Sequence, residues 1–185
     1  MDTFFAGLGF PLLDRTIHPH THFQRLIQQR GWAVGSRNHR RATAAFNEAL
    51  LATFAERFGN DASPPVEVWQ RLCAALGART LPETVTQCKK FIKRTHVNLV
   101  DLMAGADIHV FRSKEELIEY TRATERYFPR KMAKERGGGL LRCLLREMPA
   151  AVLEQTAAEE EVEEVGEVKE MMMLVVGEAL EGLKM

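Results

Sequence analysis

The sequence predicts an all-α fold: a compact single domain of about six helices with an acidic, partly disordered C-terminal extension. Two observations carry this expectation. Apolar residues recur at three- and four-residue spacing through most of residues 21–148, and the charge splits sharply along the chain. Residues 1–150 hold 23 Lys/Arg against 15 Asp/Glu, whereas residues 151–185 hold 2 against 10, so a net charge of zero conceals a basic body and an acidic tail. At 185 residues with 45% hydrophobic content, the chain has enough apolar surface for one real core.

Residues 1–20 carry Phe4, Phe5, Phe10, Leu12 and Leu13 among Gly7, Gly9, Pro11 and Pro19. They read as an irregular arm whose aromatics pack onto the domain or dock a partner. The helical domain is then expected over 21–148, and the acidic tail with its short apolar end over 149–185. The first helix, near 21–30, turns Phe23, Leu26 and Ile27 inward and ends at Gly31. Ser36 is a good N-cap for a long helix over 36–58, where Phe46, Leu50, Phe54 and Phe58 repeat every four residues. Its first turns carry Arg37, His39, Arg40 and Arg41, positive charge at the end where the helix dipole disfavours it.

The densest helical signal runs from Trp69 to Met103. Trp69, Leu72, Cys73 and Leu76 share one face of a helix near 65–76, which Gly77 closes. A second helix is expected over 82–103, with Val85, Cys88, Ile92, Leu99 and Met103 as its stripe and Lys89, Lys90, Lys93 and Arg94 opposite. A helix, a glycine and a basic helix over residues 66–95 suggest a hairpin like a helix-turn-helix, although Val85 falls about two residues too far from Gly77 for that motif. GADIHVF is a loop or a short extended piece. Ser113 and Glu116 form a capping box for a helix over 113–127. Pro129 opens a last helical stretch, 130–148, in which Gly137, Gly138 and Gly139 make a flexible joint; no phosphate-loop frame surrounds them. From Glu154 to Glu170 the chain is acidic and poor in core residues, and MMMLVV at 171–176 is a short apolar end.

Several functional classes lose support on chemical grounds. Three cysteines with no CxxC pair fit neither a disulfide framework nor a zinc site, and they suggest a reducing, intracellular compartment, nuclear or cytoplasmic. His18, His20 and His22 alternate, which would gather three imidazoles only in an extended strand; Pro19 and the following helix oppose that, so no metal and no cofactor is expected. No run is long enough to span a membrane, and no membrane partner is expected. Asp101 and His96 are candidate acid and base, but five residues of helix separate them by about 140° around the axis, and no nucleophile accompanies them. The expectation is therefore not an enzyme but a helical interaction module that binds protein partners. The alternative is a DNA- or RNA-binding domain with an autoinhibitory acidic tail. The binding residues in either case are Arg37, Arg40, Arg41, Lys89, Lys90, Lys93 and Arg94, contacting nucleic acid or an acidic partner.

The chain also resembles a group of uncharacterised proteins from filamentous fungi. The resemblance lies in a succession of short pieces: Phe23 to Ser36, Phe46 to Gly59, Trp69 to Cys73, Thr86 to Leu102, and Tyr120 to Leu145. It covers about residues 20–148 and leaves out the acidic tail. It implies a fungal source and an intracellular protein, and it implies no activity.

Overall fold

The structure, a computed structural model, describes residues 1–10, 14, 16–105 and 108–145. The chain divides into two units, 1–146 and 147–185. The second unit, with the acidic stretch and the apolar end, lies outside the described residues, as do Pro11, Leu12 and Leu13.

The described residues are predominantly helical. Nine helices run in order: α1 (Asp2–Gly7), α2 (Pro19–Arg30), α3 (Arg37–Phe58), α4 (Val66–Ala75), α5 (Val85–Arg94), α6 (Leu99–Ala104), α7 (Lys114–Thr124), α8 (Arg130–Arg136) and α9 (Gly138–Leu144). Two short strands, β1 (His96–Val97) and β2 (Val110–Phe111), pair antiparallel, His96 opposite Phe111.

The 22-residue α3 is the spine, packed on α1, α4 and α6. Ser36 caps it by accepting from the His39 N–H. Its buried face, Phe46, Leu50, Phe54 and Phe58, is the predicted four-residue repeat. At its N-terminal half Phe46 stacks on Phe23, with ring centroids 4.5 Å apart, and Phe4 and Phe5 add edge and tilted contacts. The N-terminal arm is accordingly more regular than its glycines suggest: residues 2–7 are helical and Phe5 is fully buried. On the other side, α5 packs on α4 and α9, burying Trp69, Leu72, Cys73, Cys88, Ile92, Leu140 and Leu141.

Two expected elements divide. The helix over 82–103 breaks after Arg94. Thr95 and Val97 are β-branched residues suited to extended backbone, and Asn98 then caps α6 by accepting from the Val100 and Asp101 N–H groups. The stretch 130–148 divides at the glycines, and these are no loose joint. Gly138 adopts φ +65° against Asn60, and the Gly139 N–H donates to the Asp61 carbonyl at 2.8 Å. A Cβ on Gly139 would lie 2.4 Å from the Ala62 carbonyl oxygen. Gly138 and Gly139 let two backbone segments touch, while Gly137 sits against the Ala133 carbonyl and the Leu141 side chain.

Candidate functional site

The two basic clusters lie on different helices, and both helices pack on α4. On α5, Lys89, Lys90, Lys93 and Arg94 are all exposed. They occupy an arc of about 140° and roughly 7–8 Å of axial length, while Cys88 and Ile92 hold the opposite side fully buried. Among the described residues none of the four pairs with a carboxylate. α5 itself, VTQCKKFIKR, contains no acidic residue. Lys89 Nζ stands 5.2 Å from the Trp69 ring centroid, and the Trp69 indole is fixed by its N–H donating to the Pro64 carbonyl at 3.1 Å. That cation–π contact holds one lysine of the cluster in place.

On α3, Arg37 and Arg41 are exposed and Arg40 is half-buried, its Nη1 donating to the Gly35 carbonyl at 3.0 Å. The first turn of α3 has no acidic residue. The loop before it presents Val34 at 79% exposure.

Sequence reasoning missed a third assembly. Asp101, on α6, is only 3% exposed. Its Oδ2 accepts from the Tyr120 hydroxyl at 2.8 Å and its Oδ1 from Arg126 Nη1 at 2.9 Å. His18 Nε2 lies 3.1 Å from the same Oδ1, but its N–H is misaligned, so this contact is a charge–dipole attraction rather than a well-directed hydrogen bond. Burial pushes the Asp101 carboxyl up, yet His18, the Tyr120 hydroxyl and the Arg126 charge together outweigh it and hold the group below the usual carboxylate range. Burial and the adjacent carboxylate push the Tyr120 hydroxyl up to about 12. Asn98 ties the assembly together: its amide donates to Thr121 Oγ1 and to the Arg126 carbonyl, while its oxygen caps α6. Glu125, left-handed at φ 53°, turns the chain so that Arg126 points back.

The tautomer of His18 limits what this cluster can do. His18 Nδ1 accepts from the His20 backbone N–H at 3.1 Å as the N-cap of α2. Nδ1 is thus an acceptor and, in the neutral ring, Nε2 carries the proton and faces Asp101. Neither nitrogen is left to take a proton from a substrate. Tyr120 is held as a neutral donor, and Asp101 is occupied on both oxygens. The arrangement is a clasp joining the start of α2, α6 and the end of α7. His96, the partner considered for Asp101, sits instead in β1. A visible signal of the clasp is an aspartate within an apolar run, Val100, Leu102 and Met103, all buried.

The three alternating histidines separate. His18 meets Asp101, His20 lies beside the Phe46 ring, and His22 Nε2 donates to the Asp14 carbonyl at 2.8 Å. Among the described residues no three His, Cys, Asp or Glu side chains are placed to hold a metal, and no helix is long and apolar enough to cross a membrane. Cys73 and Cys88 are fully buried; burial and the Cys88 neighbour push the Cys73 thiol up to about 12, which suits a small core hydrophobe rather than a nucleophile.

No family model matches this chain, and neither a curated protein nor a solved structure shows detectable similarity to it.

Proposed function

We propose that the chain is a non-enzymatic, intracellular helical module that binds a protein partner, taking an acidic segment of it on the basic face of α5. The observation carrying this reading is the set of four exposed cations that pair with no carboxylate among the described residues, on a helix whose other side is locked into the core. A rigid helix presenting charge loses little conformational entropy on binding, and Lys89 is already held against Trp69. Opposite charge on the partner would speed encounter and set its register. The hydrogen bonds that Asp101 accepts from Tyr120 and Arg126 support a structural role for that cluster, and the buried Cys73 and Cys88 thiols suit a reducing compartment.

The same cations support a second reading, in which DNA or RNA is the partner and Arg37, Arg40 and Arg41 share the footprint. The connection between α4 and α5, residues 76–84, favours the protein partner, because it is longer than the three- or four-residue turn of a helix-turn-helix. The masking role expected of the acidic tail falls outside the described residues.

Fluorescence anisotropy on the full chain separates the two. The probes are a labelled glutamate-rich peptide and a labelled DNA duplex, each followed across a salt series. Saturable peptide binding that disappears in Lys89/Lys90/Lys93→Glu supports the proposal. Failure to bind the peptide at low salt sinks it. Four contacts on duplex would give a log–log salt slope of about −3.6, and all seven cations about −6; tight duplex binding with the steeper slope would install the nucleic-acid reading instead.

A further inference from the structure

We propose that the acidic partner segment taken up by α5 continues over α9 onto α8, where a second set of cations receives it; the inference rests on the α5 reading and extends its footprint. The second set is Arg130, Lys131 and Lys134 on α8 and Arg142 on α9. All four are exposed, and none pairs with a carboxylate among the described residues. Arg130, Lys131 and Lys134 fall within an arc of about 100°, while Ala133 of the same helix is fully buried. Arg136, the remaining cation of α8, is engaged by Glu48 of α3 and stays outside the set. Arg142 is the link to α5. It stands on α9, the helix that packs on both α5 and α8, and its Nε–H donates to the Lys134 carbonyl at 2.7 Å. That bond fixes the guanidinium beside Lys134. Its two Nη groups bond to none of the described residues, and a carboxylate can take both at once.

The backbone under this set is held in place. Gly138 lies against Asn60, and the Gly139 N–H donates to the Asp61 carbonyl, so the elbow between α8 and α9 presents its cations in one arrangement and little ordering is left to binding. Glu135, exposed on α8, interrupts the positive charge. A nucleic-acid backbone, charged at every step, would have to pass that carboxylate, whereas a peptide can set an uncharged or basic residue beside it. The occupant is therefore a protein segment with two acidic runs rather than a uniform polyanion. Axes of packed helices lie about 8–10 Å apart. The path from α5 to α8 by way of α9 is then roughly 16–20 Å, or about five or six residues of extended chain.

Anisotropy of two labelled peptides on the full chain at low salt tests this. The first has two runs of about four glutamates joined by a Gly/Ser spacer of about eight residues, whose r.m.s. span of roughly 16 Å reaches from α5 to α8. In the second, glutamines replace one run. The two-run peptide should bind more tightly. Lys131/Lys134→Gln should weaken it about fivefold, the sum of two exposed charge contacts, and leave the one-run peptide within twofold, which also shows that the variant is folded. Arg25/Arg122→Gln, at exposed cations of α2 and α7, should change neither. If the one-run peptide binds but the second run adds nothing, or if Lys131/Lys134→Gln leaves the two-run peptide unchanged, the extension to α8 is overturned and the α5 reading stands. Equal weakening by Arg25/Arg122→Gln would mean diffuse attraction and overturn it too. Binding of neither peptide would remove the α5 reading and this inference with it. A DNA duplex that displaces the two-run peptide at lower concentration, with the same fivefold loss in Lys131/Lys134→Gln, would overturn the choice of a protein segment.

Discussion

Replacing Gly139 by alanine sets two expectations of opposite sign against each other. Gly139 is the second residue of α9, and helix propensity alone favours alanine there by about 1 kcal/mol. The structure opposes it. The added methyl would sit 2.4 Å from the Ala62 carbonyl oxygen and 3.2 Å from Pro64 Cδ. Relieving that contact moves the 60–64 loop away and stretches the bond from the Gly139 N–H to the Asp61 carbonyl. Overpacking costs about 1–3 kcal/mol and the lost hydrogen bond about 1. Less the propensity gain, Gly139→Ala should destabilise by about 1–3 kcal/mol. Gly138→Ala adds a left-handed strain of about 1–2 kcal/mol to its contact with Asn60, so its cost should match or exceed this. Gly77→Ala is the control, because its φ is +81° but nothing lies within 4 Å of its Cβ position; it should lose only about 1–2 kcal/mol. Urea unfolding, monitored by tryptophan fluorescence and far-UV circular dichroism, gives all three values. A Gly139→Ala protein as stable as the parent, or more so, would refute the close-approach reasoning and restore the flexible joint.

Other outcomes follow from the clasp. Asp101→Asn leaves Arg126 largely buried without its counter-charge and should cost about 3 kcal/mol in the same urea assay. Tyr120→Phe removes one hydrogen bond to a charged acceptor and should cost about 1–2 kcal/mol. Global stability should fall as pH is lowered from 6.5 towards 4, because the unfolded chain holds a proton on His20 that the folded chain refuses; the loss is about 1–3 kcal/mol, allowing for the ring's partial exposure, and His20→Phe should flatten that part of the profile. Asp101 acts in a separate window: its stabilisation is present above its unfolded value and is lost as pH falls below about 4, which thermal melts of Asp101→Asn should show. Glu125→Gly relieves a left-handed non-glycine residue and should raise stability by up to about 1 kcal/mol, read from the urea midpoint.

The elements legible in the sequence are those whose ends carry local chemistry. Ser36, Ser113 and Gly31 bound α3, α7 and α2 within a residue or two of the expected positions, because a cap is a contact between near neighbours. The break between α5 and α6 was also local, but the apolar stripe runs through it in phase; Asn98 as a cap and two β-branched residues before it were the signal that periodicity hid. Composition alone suggests a loose joint at the glycines, whereas Gly138 and Gly139 must be glycine because of a loop nearly eighty residues earlier. The exposed α5 cations were legible since a helical period places them together. The Asp101 clasp was not, for its members come from positions 18, 101, 120 and 126, and no spacing rule links them.

That separation bears on how the chain folds as it is made. His18 leaves the ribosome 108 residues before Arg126, an interval of roughly 5–20 s at ordinary rates of synthesis. During it, the phenylalanines of α1 and α2 have the Phe46 face of α3 for company but no floor beneath the start of α2. Closing the long loop from His18 to Asp101 also costs about 1.5 kcal/mol more entropy than joining Cys73 to Cys88 between α4 and α5. The α4–α5 hairpin can therefore form as soon as it emerges. The N-terminal helices, though synthesised first, are seated last, and a nascent-chain series arrested before and after Arg126 should show protease resistance reaching residues 16–30 only in the longer chains.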